Sequence, residues 1–388
     1  MNRNLTADYI FDGFQFLENH VLIVAEDGEI LNLQPRTQSK ENVEFFEGVL
    51  CPGFINSHCH LELSHLKGKV TPGGGLPNFI KELVPQRLAS GAEIDAAIVN
   101  AEAEMMANGI VAVGDICNTE ATFPRKAVSQ ILYHSFMEVF SPDPSKAKET
   151  LDLGKTLERR MKQIYPEANV SITPHAPYSV SNALFNLIAN LPKGNLISIH
   201  NQETDSEDAF FEFGKGEMFE LMNRFSNGLE VFLPNGLRSL PTTISKLPRH
   251  EKLMFVHNTF TNSKDIEFAL QNNSDIWFCL CPKANLFIEN KLPDLNKLGP
   301  LMSKIVLGTD SLASNDSLDL LSEMNLLKEY FPNISTAEML KWATSNAAKY
   351  FNWTYLGVFA KGNYPGVNHI SGLNGMEITS SSKLNVLI

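Results

Sequence analysis

From residue 49 to residue 310 the chain repeats one unit, a compact apolar run followed by a longer stretch of helical character. The apolar runs end near His58, Asp115, Glu138, His175, His200, His257, Cys281 and Asp310, and helical stretches such as Ala96 to Met106, Lys146 to Ile164 and Ser317 to Tyr330 intervene or follow. Strands that alternate with helices pair in parallel, because each helix returns the chain to the same end of the sheet. Eight such units predict an α/β fold, a closed (β/α)8 barrel. Counting alone also admits an open doubly wound sheet, but no glycine-rich dinucleotide fingerprint follows an early strand, and Gly73-Gly74-Gly75 reads as a flexible loop.

The first run, Val49 to Ser57, leads into His58-Cys59-His60. Alternate side chains of a strand share a face, so the two histidines can point together at one ion while Cys59 points away into the core. Imidazole suits zinc or ferrous iron. Taken alone the pair is equally compatible with hydrogen-bonded surface histidines. The other runs change the balance: His175, His200, His257 and Asp310 also stand at strand ends, and in a (β/α)8 barrel these ends converge on one site.

Composition narrows the classes of partner. With 388 residues, 43% of them hydrophobic and 20% charged, the chain can bury a large core, and its net charge of −12 opposes binding to nucleic-acid phosphates or anionic membranes. The expected partner is a small-molecule substrate, with no nucleic acid and no membrane. Five cysteines without disulfide or zinc-finger spacing fit a reducing compartment, and no basic-then-apolar leader opens the sequence, so a cytoplasmic location is expected.

Four segments together resemble the amidohydrolase superfamily: Pro52-Gly53-Phe54-Ile55-Asn56-Ser57-His58-Cys59-His60, Thr173-Pro174-His175-Ala176-Pro177-Tyr178-Ser179, His200-Asn201-Gln202-Glu203-Thr204 and Gly308-Thr309-Asp310-Ser311. The resemblance covers roughly residues 45 to 350 and is greatest to the mononuclear-metal deaminases, which include cytosine, guanine and S-adenosylhomocysteine deaminases. It implies a distorted (β/α)8 TIM barrel over residues 51–354, with a small β-sandwich built from residues 1–50 and 355–388. It also implies one divalent metal ion, zinc or else iron, held by His58, His60, His200 and Asp310. Glu203 would move protons, His257 and Asp310 would assist catalysis, and His175 would contact substrate. The fourth strand ends without the lysine that bridges two metals in the binuclear branch, which favours a single ion.

Further segments, Leu61-Glu62-Leu63-Ser64, Cys281-Pro282-Lys283-Ala284-Asn285-Leu286 and Ser311-Leu312-Ala313-Ser314-Asn315-Asp316, are similar to amidohydrolases that deaminate aminodeoxyfutalosine. They mark Glu62, Asn285 and Ser311 as substrate-binding candidates, with pairing to Lys67 or Lys69 as the structural alternative for Glu62. The implied activity is hydrolytic deamination of a purine-like or other N-heterocyclic compound, aminodeoxyfutalosine among them. Hydrolysis of a cyclic amide or a carbon–halogen bond is the enzymatic alternative, and an inactive barrel serving as a binding module is the non-enzymatic one. The pattern of zinc deaminases acting on single-stranded nucleic acid, H-x-E then P-C-x-x-C, is only half met by His60-Leu61-Glu62. Cys279 and Cys281 are separated by one residue and read as core, while His65 and His134 read as structural. The tail segment Lys361-Gly362-Asn363-Tyr364-Pro365-Gly366 departs from the Gly-Lys-Ala-Asp-like pattern of many relatives. The stretch from Lys67 to Leu83 is a candidate lid, with an ordinary surface loop as the equal alternative.

Overall fold

The computed structural model describes residues 2–38, 42–225, 234–249 and 251–388. Both ends of the chain meet in one seven-stranded mixed sheet. Its strands are β1 (Arg3–Phe11), β2 (Phe16–Leu17), β3 (His20–Val24), β4 (Ile30–Pro35) and β5 (Glu44–Pro52), joined by two strands from the tail, Val367–Ser371 and Lys383–Val386. β1 lies parallel to β5, and Val367–Ser371 runs antiparallel along the other edge of β5. One face of this sheet buries Leu5, Ile10, Leu22, Val24, Ile30 and Leu50. Gly48 has a φ of +111°, and a Cβ there would stand 2.2 Å from the Ile370 carbonyl oxygen, so only glycine lets the tail strand approach. Gly357-Val358-Phe359 forms no strand. Gly357 turns the chain at a φ of +76°, and Phe359 drops into the apolar layer of the terminal sheet.

Gly53 separates β5 from β6 (Phe54–Cys59). Parallel strands β6, β7 (Ile110–Cys117), β8 (Leu132–Val139) and β9 (Asn169–Pro174) form one four-stranded sheet in that order. A second contains β10 (Ile197–Asn201), β11 (Leu253–His257), β12 (Ile276–Leu280) and β13 (Ile305–Leu307). Helices alternate with these strands, among them Gly91–Ala107, Ala147–Ile164 and Leu320–Tyr330, close to the expected stretches. The strands are buried along nearly their whole length, which explains their continuous apolar runs.

The sheets touch along two edges. Between β9 and β10, Ser198 N donates to Thr173 Oγ1 at 2.9 Å and His200 N donates to the His175 carbonyl at 3.0 Å. Between β6 and β13, Thr309 N and Asp310 N both donate to the His58 carbonyl at 3.1 Å. Asn56 reinforces this edge, its amide donating to Thr309 Oγ1 at 2.8 Å and accepting from Thr309 N at 3.1 Å.

The segment read as a candidate lid is in part regular structure, since Leu76–Gln86 is an α-helix. It is anchored to the helix Pro282–Glu289, with Gly73 N donating to Phe287 O, Gly75 N to Ile288 O and Leu76 N to Glu289 Oε1. No helix among the described residues is long and apolar enough to cross a membrane. All five cysteines are free and buried.

Candidate active site

The strand ends assemble a buried histidine and carboxylate cluster. His58 and His60 leave β6 on one face, with Nε2 atoms 3.1 Å apart. His60 Nε2 lies 3.3 Å from His200 Nε2 and 3.4 Å from Asp310 Oδ1, and His58 Nε2 is 3.7 Å from that same oxygen. A tetrahedral ion with ligands at about 2.1 Å sets neighbouring donors about 3.4 Å apart, so four donors at these separations match one coordination sphere. Ligand atoms of His58, His200, His257 and Asp310 also fall within 4.8 Å of one another, so His257 stands beside the same sphere. Its Nδ1 is 2.8 Å from Asn285 Oδ1 and its Nε2 3.6 Å from Glu203 Oε1.

Local contacts aim each group. His200 Nδ1 donates to the His175 carbonyl at 2.9 Å, which leaves Nε2 as the lone-pair nitrogen facing His60. Asp310 Oδ2 accepts a hydrogen bond from Ser314 Oγ, leaving Oδ1 for the histidines. Asp310 and His257 adopt φ values of +57° and +72°, a region most side chains avoid. The sharp turns direct both side chains inward at the ends of their strands. Gln202, at φ +45°, makes a similar turn just before Glu203, and buried Glu207 holds it by accepting from Gln202 N at 2.9 Å and Glu203 N at 3.3 Å.

Burial and charge set the protonation states apart. Burial drives Glu203 well above the usual carboxylate range, and the negative charges of Asp310 and Glu289 push the same way. For Asp310 burial also acts upward, but the hydrogen bond to His58 and the fields of His60 and His257 outweigh it and hold the group below its ordinary value. Burial lowers His257, and it lowers His175 to about 4. The site thus shifts two neighbouring carboxyls in opposite directions, Glu203 up and Asp310 down, an arrangement suited to acid and base steps at one pH.

A cavity of about 610 Å³ opens onto this cluster. His60, His175, His200, Glu203, His257, Asp310 and Ser311 reach its surface. Leu76, Phe79, Ile80 and Leu83 from the helix Leu76–Gln86 form an apolar wall, and Arg87, Asn118 and Glu138 form a polar one. Glu62 and Asn285, substrate-binding candidates in the sequence, stand behind the surface. The Glu62 carboxylate is taken up by Arg87 Nη2 at 3.0 Å, by the backbone N–H groups of Asn118 and Thr119, and by Thr119 Oγ1. Its cationic partner is therefore Arg87, while Lys67 and Lys69 pair with Glu104 and Glu93. Asn285 is 1% exposed and spends its oxygen on His257. His65 hydrogen-bonds the Glu62 carbonyl and His134 the Ser171 hydroxyl, outside the cluster.

Sequence reasoning missed Asn118 and Arg87, whose partners are distant in the chain, missed Ser314 although its partner Asp310 is near in sequence, and saw Glu138 as a strand end without a role. Glu207 belongs to the acidic run that follows Glu203, yet it is wholly buried. The amphipathic pattern of a short helix at Asp205–Phe213 was the available clue to its inward direction.

The chain is 26% identical over 329 residues, 78% of its length and 73% of the relative's, to an aminodeoxyfutalosine deaminase of a Nitratiruptor species. Among solved structures it is similar to Helicobacter pylori aminofutalosine deaminase in complex with methylthio-coformycin, with a TM-score of 0.78 and 22% identity over 96% of this chain and 93% of that one. It is also similar to a zinc-bound adenosine deaminase from Xanthomonas campestris, with a TM-score of 0.69 and 19% identity over 95% and 84% of the two chains. The model of the amidohydrolase family matches residues 49–377, which spans both four-stranded sheets and every residue of the cluster, and the chain belongs to that family.

Proposed function

We propose that this protein is a metal-dependent aminohydrolase that releases ammonia from an amino-substituted, purine-like heterocycle, with adenosine-type compounds such as aminodeoxyfutalosine as the leading substrates. The observation that carries the reading is the coincidence, in one cavity, of four donors spaced for a tetrahedral ion and the Glu203 carboxyl 3.6 Å from His257 Nε2. The deaminase names of the relatives support the same substrate class. The fold that goes with it is a barrel closed along the two edges where the sheets touch, over residues 51–354, with residues 1–50 and 355–388 as a small β-sandwich.

In this reading His58, His60, His200 and Asp310 hold one divalent ion, zinc before iron. Such an ion, when bound, makes water acidic enough to attack near neutral pH. Glu203 takes the proton of the attacking water and delivers it to a ring nitrogen, which makes the neighbouring carbon more electrophilic. His257, its Nδ1–H fixed by Asn285, presents the Nε2 lone pair, which accepts a hydrogen bond from the attacking water and orients it. Asp310, ionised at the outset, takes up the second proton of the attacking water and passes it to the departing amine, which leaves as ammonia. His175 and Ser311 line the cavity where the substrate's outer atoms would lie, and Glu62 acts through Arg87 and Asn118.

The test is ammonia release by metal-loaded protein over amino-substituted purines, pyrimidines and nucleosides, aminodeoxyfutalosine included, with Glu203→Gln alongside. Turnover of at least one of these that Glu203→Gln reduces by about 100-fold or more is expected from the loss of a general acid and base. Turnover confined to cyclic amides or halogenated rings would overturn the deaminase assignment.

A further inference from the structure

Glu138 is a buried carboxylate that the reaction above leaves unused. It sits at the end of β8, is 6% exposed and forms part of the cavity surface. Its Oε2 accepts from Asn118 Nδ2 at 2.9 Å, but its Oε1, screened from solvent, has no hydrogen-bond partner among the described residues. The nearby His200 Nδ1, 3.7 Å away, has already given its proton to the His175 carbonyl. Buried polar atoms are nearly always satisfied, and an orphan oxygen on a residue that lines the cavity marks a place where a ligand completes the bonding.

The surroundings make this oxygen a fixed acceptor. Asn118, which holds Oε2, is itself held through its Oδ1 by Arg87 Nη2 at 3.1 Å and through its backbone N–H by Glu62 at 3.1 Å. The chain of contacts from Glu62 through Arg87 and Asn118 to Glu138 thus pins the carboxylate along a polar strip. His175 is beside it, with ligand atoms of Glu138, His175 and His200 all within 4.8 Å of one another. Because His175 Nδ1 faces Ser179 Oγ at 2.7 Å, its other nitrogen is left for the cavity. Glu203 and His257 serve the reacting carbon on the Nε2 side of His200, whereas Glu138 lies on the Nδ1 side. A cavity of about 610 Å³ also holds more than a single fused ring.

Resting on the aminohydrolase reading, we infer that Glu138 is a specificity residue whose free oxygen accepts a hydrogen bond from a hydroxyl or amino group carried by the substrate outside its reacting ring. The substrate class is then a heterocycle joined to a donor-bearing substituent, a nucleoside rather than a free base. A site built around a buried acceptor rejects analogues that lack the matching donor, since the acceptor then stays unpaired.

The experiment measures kcat/KM for ammonia release by wild type and Glu138→Gln, each at equal bound metal, over adenosine, its 2′-, 3′- and 5′-deoxy analogues and 5′-amino-5′-deoxyadenosine. The deoxy series tests a hydroxyl donor, and the 5′-amino and 5′-deoxy pair tests an amino donor. In wild type, removing the donor that meets Glu138 is expected to lower kcat/KM by about 10- to 100-fold, mainly through KM. In Glu138→Gln that ratio is expected to collapse to within about threefold, because Asn118 Nδ2 keeps the amide oxygen and an NH2 donor then takes the place of the free acceptor. A ratio unchanged by the substitution, an equal loss across all substrates, or no donor preference in wild type overturns the assignment of Glu138. Absence of ammonia release by wild type from these compounds and from the wider panel of amino-substituted purines, pyrimidines and nucleosides, aminodeoxyfutalosine included, overturns the aminohydrolase reading itself, and with it this inference.

Discussion

Replacing Asn285 by alanine tests whether His257 works by being held in one tautomer. Asn285 Oδ1 can only accept, so the 2.8 Å contact requires the proton on His257 Nδ1 and leaves the lone pair on Nε2, 3.6 Å from Glu203 Oε1. Both residues are 1% exposed, so water cannot replace the lost partner cheaply. Stranding a buried donor costs about 1–3 kcal/mol. If that cost falls on the geometry needed in the transition state, kcat drops by about 5- to 150-fold. Because Asn285 lies behind the cavity surface, KM should change little. The assay is steady-state ammonia release with bound metal measured on the same preparation. A KM that rises while kcat holds would refute the reasoning, since it would make Asn285 a direct substrate contact. A kcat within about twofold of wild type at full metal content would refute the claim that the tautomer matters.

Two other perturbations probe the scaffold. Burial, assisted by the charge of Lys126, lowers His134 to about 3, against about 6.5 in an unfolded chain. The unfolded state therefore takes up the proton first, and the stability His134 contributes, complete above pH 6.5, drains away as pH falls towards 3. Between pH 8 and pH 5 wild type should lose about 2 kcal/mol more than His134→Gln in urea titrations, and equal losses would contradict the burial argument. A methyl group added at Gly308 would lie 2.9 Å from Cys279 Sγ, His58 Cβ and the His58 carbonyl oxygen. Gly308→Ala is expected to cost about 1–3 kcal/mol by overpacking and, by wedging β13 away from β6, to lower metal content measured by elemental analysis. Unchanged metal content and stability would show that the two strands are not so tightly joined.

What the amino-acid sequence determined by itself was periodic or local. The alternation of apolar runs and helical stretches marked the parallel strands, since a strand buried on both faces must be apolar throughout. The two-residue spacing of His58 and His60 placed both on one face, a property of any strand. The terminal sheet was only partly legible: β1 begins at Arg3 and pairs with residues about forty positions later, a long-range choice that no local pattern encodes. The same limit applied to the site. Asn56 finds Thr309 across 253 residues and His60 finds His200 across 140. The turn of Lys67 to Leu83 into the helix Leu76–Gln86, the seat of Asn285 behind His257, the tie of Glu62 to Arg87 and the orphan oxygen of Glu138 likewise arise only once the strand ends are brought side by side. Tertiary packing decided which polar atoms have partners and which do not, because partnership depends on neighbours in space and the sequence orders neighbours along the chain.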